Sequence, residues 1–168
     1  REAKALNAGR ILGVSCLREA VDALSGRRQL QADRRDAPSS RPAPLSCGDL
    51  ADIRGHWVLK RALEVAAAGR HHLFLFGAPG SGKTMAARRL PSLLPCLDRE
   101  EALLVTRIHS IAGVLPPDSG LLAFPPFRMP HHTATTEGVI GGGALPRPGE
   151  VSLAHCGILF LDEAPEFK

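Results

Sequence analysis

Two short segments of this chain carry residue types suited to chemistry on a phosphate. The first is Gly77-Ala78-Pro79-Gly80-Ser81-Gly82-Lys83-Thr84, directly after the apolar run Leu73-Phe74-Leu75-Phe76. The second is Asp162-Glu163, directly after Ile158-Leu159-Phe160-Leu161. The first fits G-x-x-x-x-G-K-[ST]: glycines let the backbone turn tightly and bring N–H groups to an anion, the lysine reaches the outer phosphates, and the hydroxyl meets a magnesium ion. Pro79 has no N–H and shapes the turn only. Gly77, Pro79, Gly80, Ser81, Gly82, Lys83, Thr84 and the following Met85 are therefore the expected nucleotide-binding residues. A strand that ends in two acids places Asp162 at the carboxyl end of a parallel sheet, where it holds the metal together with Thr84. Glu163 then orients or deprotonates an attacking water, so Lys83 and Glu163 are the expected catalytic residues, with ATP and Mg²⁺ as cofactors. Either segment alone reads equally as a glycine-rich surface turn or a strand end with solvated acids. The pair, each behind an apolar strand, decides for the nucleotide site.

These groups need a scaffold. Leu73 to Phe76 has the length and aromatic content of a short buried strand, and Lys83 onward (Thr-Met-Ala-Ala-Arg-Arg-Leu) favours helix, which puts phosphate at a helix N-terminus. The strands at 73–76 and 158–161 are expected side by side and parallel, with Thr84 and Asp162 close at their ends. Residues 57–68 read as a helix with Leu59, Leu63 and Ala66 on one face, ended by Gly69. Trp57, the single tryptophan, is expected to pack that helix against the sheet rather than to stack on a nucleotide. Asp98 with Glu101 makes a capping box that starts a helix running through Thr106. Leu115 to Pro126 is a proline-rich loop.

Residues 127–156 are the least ordinary part. Phe127-Arg128-Met129-Pro130 reads as a short edge strand stopped by proline, followed by His131-His132-Thr133 and a short helical segment toward Ile140. Gly141-Gly142-Gly143 opens a loop through Pro146-Arg147-Pro148-Gly149. The segment is too polar for core and large enough to project, a candidate for touching a partner or a threaded polymer. His131 and His132 stay open among metal ligation, structural hydrogen bonding, and contact with nucleotide, a neighbouring subunit or nucleic acid. Arg128 and Arg147 are read as surface residues, with phosphate contact as the other reading.

With 168 residues, the chain is long enough for one normal domain with a sizeable core. It carries 21 Lys+Arg against 17 Asp+Glu, a net charge of +4 that mildly favours phosphate-rich partners. No long apolar run and no signal-peptide pattern is present, which predicts a soluble, cytoplasmic protein with no membrane partner. Cys16, Cys47, Cys96 and Cys156 are scattered without a C-x-x-C pair and read as free thiols; zinc ligation from adjacent His155 and Cys156 is a poor start for a tetrahedral site. Residues 1–24 hold a short strand candidate, Ile11 to Val14, then Ser15 as a cap before a helix from Leu17 to Leu24. Residues 25–48 turn to charges, serines and prolines, as in a flexible linker, and 49–168 form the main domain.

The motifs in combination carry a resemblance. Ile53 to Gly69, Gly77 to Thr84, Arg107-Ile-His-Ser-Ile-Ala-Gly113, Phe127-Arg-Met-Pro-His-His-Thr133, Pro146-Arg-Pro-Gly-Glu150 and Leu159-Phe-Leu-Asp-Glu-Ala-Pro-Glu-Phe167 resemble, in order and spacing, the magnesium-chelatase-like AAA+ ATPases associated with bacterial competence. The resemblance implies an α/β fold, a partial P-loop NTPase (AAA+) core with a parallel sheet. It makes residues 1–24 the α/β tail of a preceding Lon-protease-like domain. It further implies an ATP-driven ring, usually a hexamer, acting on DNA as a helicase in branch migration; the other reading is a remodelling or metal-chelatase-type ATPase acting on a protein partner. In the family pattern Lys83 and Thr84 fall on the phosphate and magnesium positions, Asp162 and Glu163 on the metal and water-activating acids, and Gly141 to Glu150 on an insertion toward the pore. His56, Ala78, Met129 and Ala164 depart mildly from the usual pattern, away from the phosphate chemistry. Later strands, sensor residues, an arginine finger and a helical lid are expected to lie beyond Lys168, so this chain alone is expected to hydrolyse ATP very weakly.

Overall fold

A computed structural model describes residues 13–27, 48–115 and 119–167. The first described helix, α1, spans Leu17–Leu24, and its cap is Cys16 rather than Ser15. Ser15 instead uses its amide and hydroxyl to bind the Glu19 carboxylate, at 2.8 and 2.6 Å. Gly13 and Val14 are not in a strand; Ile11 and Leu12, most of the linker and Cys47 lie outside the described residues. Cys16, Cys96 and Cys156 are free thiols.

The described chain from residue 48 begins with a 3-10 turn at Leu50–Asp52, closed by reciprocal capping between Asp49 and Asp52. Helix α2 (Trp57–Gly69) then turns Leu63, Ala66 and Ala67 inward. Gly69 is its last helical residue, and Arg70 takes the left-handed cap position at φ 51°. The cap position proper thus falls one residue after the glycine, on Arg70. Leu50, Ile53, Leu63 and Ala86 form one core cluster, with Leu59, Leu90 and Leu93 packed on it. Ala86 belongs to helix α3 (Lys83–Ala87), which begins at the end of the glycine loop, so the loop's exit is anchored in the core.

Helix α4 (Arg99–Ile111) runs past the predicted end at Thr106. It opens on the expected capping box: Asp98 accepts from the Glu101 amide at 2.8 Å, and Glu101 accepts from the Asp98 amide at 3.2 Å. Such a cap contributes about 1 kcal/mol by pairing amides that have no helical acceptor. Buried Thr106 accepts from the Leu122 amide at 3.0 Å, and the Leu97 amide donates to the Ala123 carbonyl at 2.9 Å. These bonds tie the proline-rich loop to α4. Arg70 Nη1 donates to Glu101 Oε1 at 2.8 Å, joining the end of α2 to the start of α4.

The parallel sheet differs from the expected one. Strand β1 (Phe127–Arg128) pairs with strand β4 (Ile158–Leu159), in the register Phe127 to Ile158 and Arg128 to Leu159. Between them come α5 (Thr136–Ile140), the antiparallel pair β2 (Gly141–Gly142) and β3 (Arg147–Pro148), and α6 (Glu150–Leu153). The expected open loop after Gly141 is thus a hairpin. Leu73 to Phe76 is not in a strand, and Phe74 and Phe76 are 81% and 92% exposed. The reading of a buried strand beside residues 158–161 is corrected: β4 pairs with β1, and no strand forms at or pairs with residues 73–76 among the described residues. The same bareness corrects Trp57, which is 79% exposed and lines an open apolar cleft with Val58, Leu73, Phe74 and Phe76.

Candidate functional site

The glycine loop turns on left-handed residues: Gly80 and Gly82 have φ of 76° and 83°, values that side-chain-bearing residues adopt at a cost. Gly77 lies so close to Ser81 that an added Cβ would come 3.2 Å from the Ser81 hydroxyl. Lys83 Nζ folds back over the loop and donates to the carbonyls of Gly77 and Ala78, each at 2.9 Å. The Lys83 ammonium is thus held against the first two carbonyls of the loop that precedes it. Met85 is partly exposed, and its carbonyl accepts from Arg89 Nη1 at 3.1 Å.

The two motifs meet although their strands do not. Thr84 Oγ1 donates to Asp162 Oδ2 at 2.9 Å across 78 residues of sequence, in a partly buried setting. The other carboxylate oxygen, Oδ1, accepts from the Glu163 amide at 3.1 Å, which fixes the orientation of Asp162. Glu163 itself has a left-handed backbone at φ 53° and caps the 3-10 turn Ala164–Glu166. A hydroxyl and a carboxylate this close form a hard-oxygen pair of the kind magnesium takes. Among the described residues, no group of three or more His, Cys, Asp or Glu is assembled as a metal cluster.

The two histidines have separate partners. His131 Nδ1 lies 2.9 Å from Thr133 Oγ1, whereas His132 Nδ1 lies 3.1 Å from Glu163 Oε2. Their rings are in contact, with centroids 4.1 Å apart. Sequence reasoning singled out both histidines and Glu163 without connecting them; their meeting becomes visible only once the segments after β1 and β4 are seen as neighbours.

Arg128 is partly buried and makes a bidentate pair with Glu150, at 2.6 and 2.7 Å. That corrects its reading as a surface residue: the pair joins β1 to α6 and braces the excursion between β1 and β4. The hydrogen bonds to Glu150 raise the Arg128 guanidinium further above its usual range. His109 Nε2, 3.0 Å from the Leu153 carbonyl, links the same α6 to α4. Arg147 remains exposed, and so is Leu145 at the hairpin's tip.

A glycine loop, the threonine at its exit and an acid three residues beyond a parallel strand are thus brought together within a mixed α/β fold. The family described as magnesium chelatase, subunit ChlI, matches residues 49–168. The chain belongs to this magnesium-chelatase-like AAA+ ATPase family. It is 54% identical over 126 residues to an uncharacterised protein of Mycobacterium tuberculosis, covering 74% of this chain and 25% of that one. It is 45% identical over 165 residues to the uncharacterised protein YifB of Escherichia coli, covering 95% of this chain and 32% of that one. The competence protein ComM of Haemophilus influenzae is 47% identical over 125 residues, covering 71% of this chain and 23% of its own. The chain therefore spans about a quarter to a third of the length of these relatives. No helix among the described residues is long and apolar enough to cross a membrane.

Proposed function

We propose that this segment binds ATP and, in the full-length protein, contributes to its magnesium-dependent hydrolysis. The observation that carries the reading is the Thr84–Asp162 hydrogen bond, which brings two motifs of one chemistry to one place. Gly77 to Met85 take the phosphates, with Lys83 exchanging its two loop carbonyls for the outer phosphate oxygens. Thr84 and Asp162 hold Mg²⁺, which when bound neutralises phosphate charge. Glu163 orients the attacking water and accepts its proton as the hydroxyl oxygen bonds to the terminal phosphorus and ADP leaves.

In this reading the full-length protein is a ring-shaped, cytoplasmic motor acting on DNA. The net charge of +4 and the name competence protein carried by one relative support DNA over a protein partner. ATP hydrolysis by the full-length protein, measured with and without single- and double-stranded DNA at rising salt, tests it. Stimulation by DNA that fades with salt is expected; stimulation only by a protein partner overturns the DNA assignment, and no magnesium-dependent hydrolysis under any condition overturns the ATPase.

A further inference from the structure

We infer that His132 is a positioning residue for the Glu163 carboxylate. The inference rests on the reading of Glu163 as the group that activates water, and goes beyond it by giving that group a partner. Parallel pairing of Phe127 with Ile158 and of Arg128 with Leu159 sets a constant offset between the two segments. The ladder continues through the Phe160 amide, which donates to the Arg128 carbonyl at 2.8 Å. His132 and Glu163 each lie four residues beyond the last paired residue of their strand, Arg128 and Leu159, in the turns that follow β1 and β4. The contact of 3.1 Å between Nδ1 and Oε2 is where they meet.

Glu163 has need of such a partner. Its side chain is 65% exposed, and a glutamate in solvent spreads over several rotamers. The neighbouring backbone is held in the left-handed region and bonded to Asp162, which fixes where the side chain starts but not where its carboxylate ends. His132 is itself held: it is 32% exposed, and its ring lies against that of His131, whose Nδ1 is engaged with Thr133. An ordered imidazole thus restrains an otherwise mobile carboxylate. Misplacement of a reacting group by about 1 Å costs up to about a hundredfold in rate, so partial loss of this restraint should be felt in turnover rather than in nucleotide binding.

The test uses the full-length protein and four variants: His132→Ala, His132→Asn, Glu163→Gln and the double variant His132→Ala/Glu163→Gln. Turnover, KM, affinity for a non-hydrolysable ATP analogue and thermal melting are measured for each. Expected is a fall in kcat of about tenfold for His132→Ala with KM, analogue affinity and melting temperature near wild type. His132→Asn, which keeps a polar group near the Nδ1 position, should recover most of the rate. His132→Ala should add nothing in the Glu163→Gln background. Full kcat in His132→Ala, or a loss equally deep in the Glu163→Gln background, overturns the inference while leaving the ATPase reading intact. If His132→Ala melts early, His132→Asn decides: a folded Asn variant no faster than the Ala variant also overturns it. Near-normal turnover in Glu163→Gln removes the role of Glu163 and the inference with it.

Discussion

Thr84 and Asp162 are joined by a 2.9 Å hydrogen bond although the strand expected beneath the glycine loop pairs with nothing among the described residues. The loop is placed through its exit helix, whose Ala86 is fully buried among Leu50, Ile53 and Leu63. Helix packing, not strand pairing, therefore carries the first motif to the second. Thr84→Ala and Asp162→Asn each remove one member of the bonded pair. In the full-length protein each should weaken ATP-analogue binding in magnesium far more than in EDTA. Isothermal titration in both buffers measures this, and an equal loss in the two would show that the pair acts only on the fold.

Lys83 and Glu163 should separate binding from turnover. Lys83→Ala removes the cation over the loop and should abolish tight ATP binding. Glu163→Gln keeps size and loses the proton acceptor, so it should bind ATP with wild-type affinity and hydrolyse it at least about a hundredfold more slowly. Parallel affinity and turnover assays check the pair; tight binding by the Lys83→Ala variant would contradict the assigned role of that lysine.

The single tryptophan gives a direct optical test of the exposed cleft. Trp57 is 79% exposed beside Phe74 and Phe76, so this 168-residue chain should show the long-wavelength emission of a hydrated indole and efficient quenching by iodide. Phe74→Ser and Phe76→Ser should change its unfolding free energy by no more than about 0.5 kcal/mol, since neither ring is buried. A blue-shifted, protected tryptophan, or large destabilisation by either serine, would place these side chains in a packed environment.

Arg128 and Glu150 brace the excursion that separates β1 from β4. Arg128→Ala strips a partly buried carboxylate of both its hydrogen bonds and should cost roughly 1–2 kcal/mol of stability. Arg128→Ala/Glu150→Ala should cost less than the sum of the single changes, because no orphaned charge remains. Denaturant unfolding of the four proteins measures the coupling; strictly additive effects would mean that the pair contributes nothing as a pair.

Much of the local structure was legible in the sequence, for reasons that are themselves local. The spacing of Leu63 and Ala66 gave the inner face of α2, Asp98 and Glu101 gave the start of α4, and Pro130 closed a short strand at Phe127–Arg128. What failed depended on partners distant in sequence. Apolar residues at Leu73 to Phe76 and at Trp57 signal burial, but burial needs a covering element, and none of the described residues supplies one. The neighbour of β4 was misassigned for the same reason, since an apolar run does not say which strand it pairs with. The meeting of Thr84 with Asp162 was readable because both belong to one chemistry, whereas that of His132 with Glu163 arises between the turns that follow β1 and β4, whose adjacency no local pattern announces.

The capping box of α4 sets a pH dependence whose sign is fixed. The Arg70 guanidinium, and then the Asp98 amide, hold the Glu101 carboxyl below its ordinary value of 4.5. A carboxyl lowered in the folded state contributes stability above the unfolded value and loses it as pH falls through the folded one. Glu101→Gln cannot ionise, so the stability difference between wild type and variant should be constant near neutral pH. It should begin to shrink as pH drops below about 4.5 and vanish once the folded-state carboxyl is protonated. Both ends of the Arg70 contact are solvent-accessible, so the difference should also shrink in high salt at neutral pH. Urea unfolding of the two proteins across this range, in low and high salt, measures both trends. A difference that grows on acidification would reverse the sign and remove the Arg70–Glu101 contact as a stabilising link between α2 and α4.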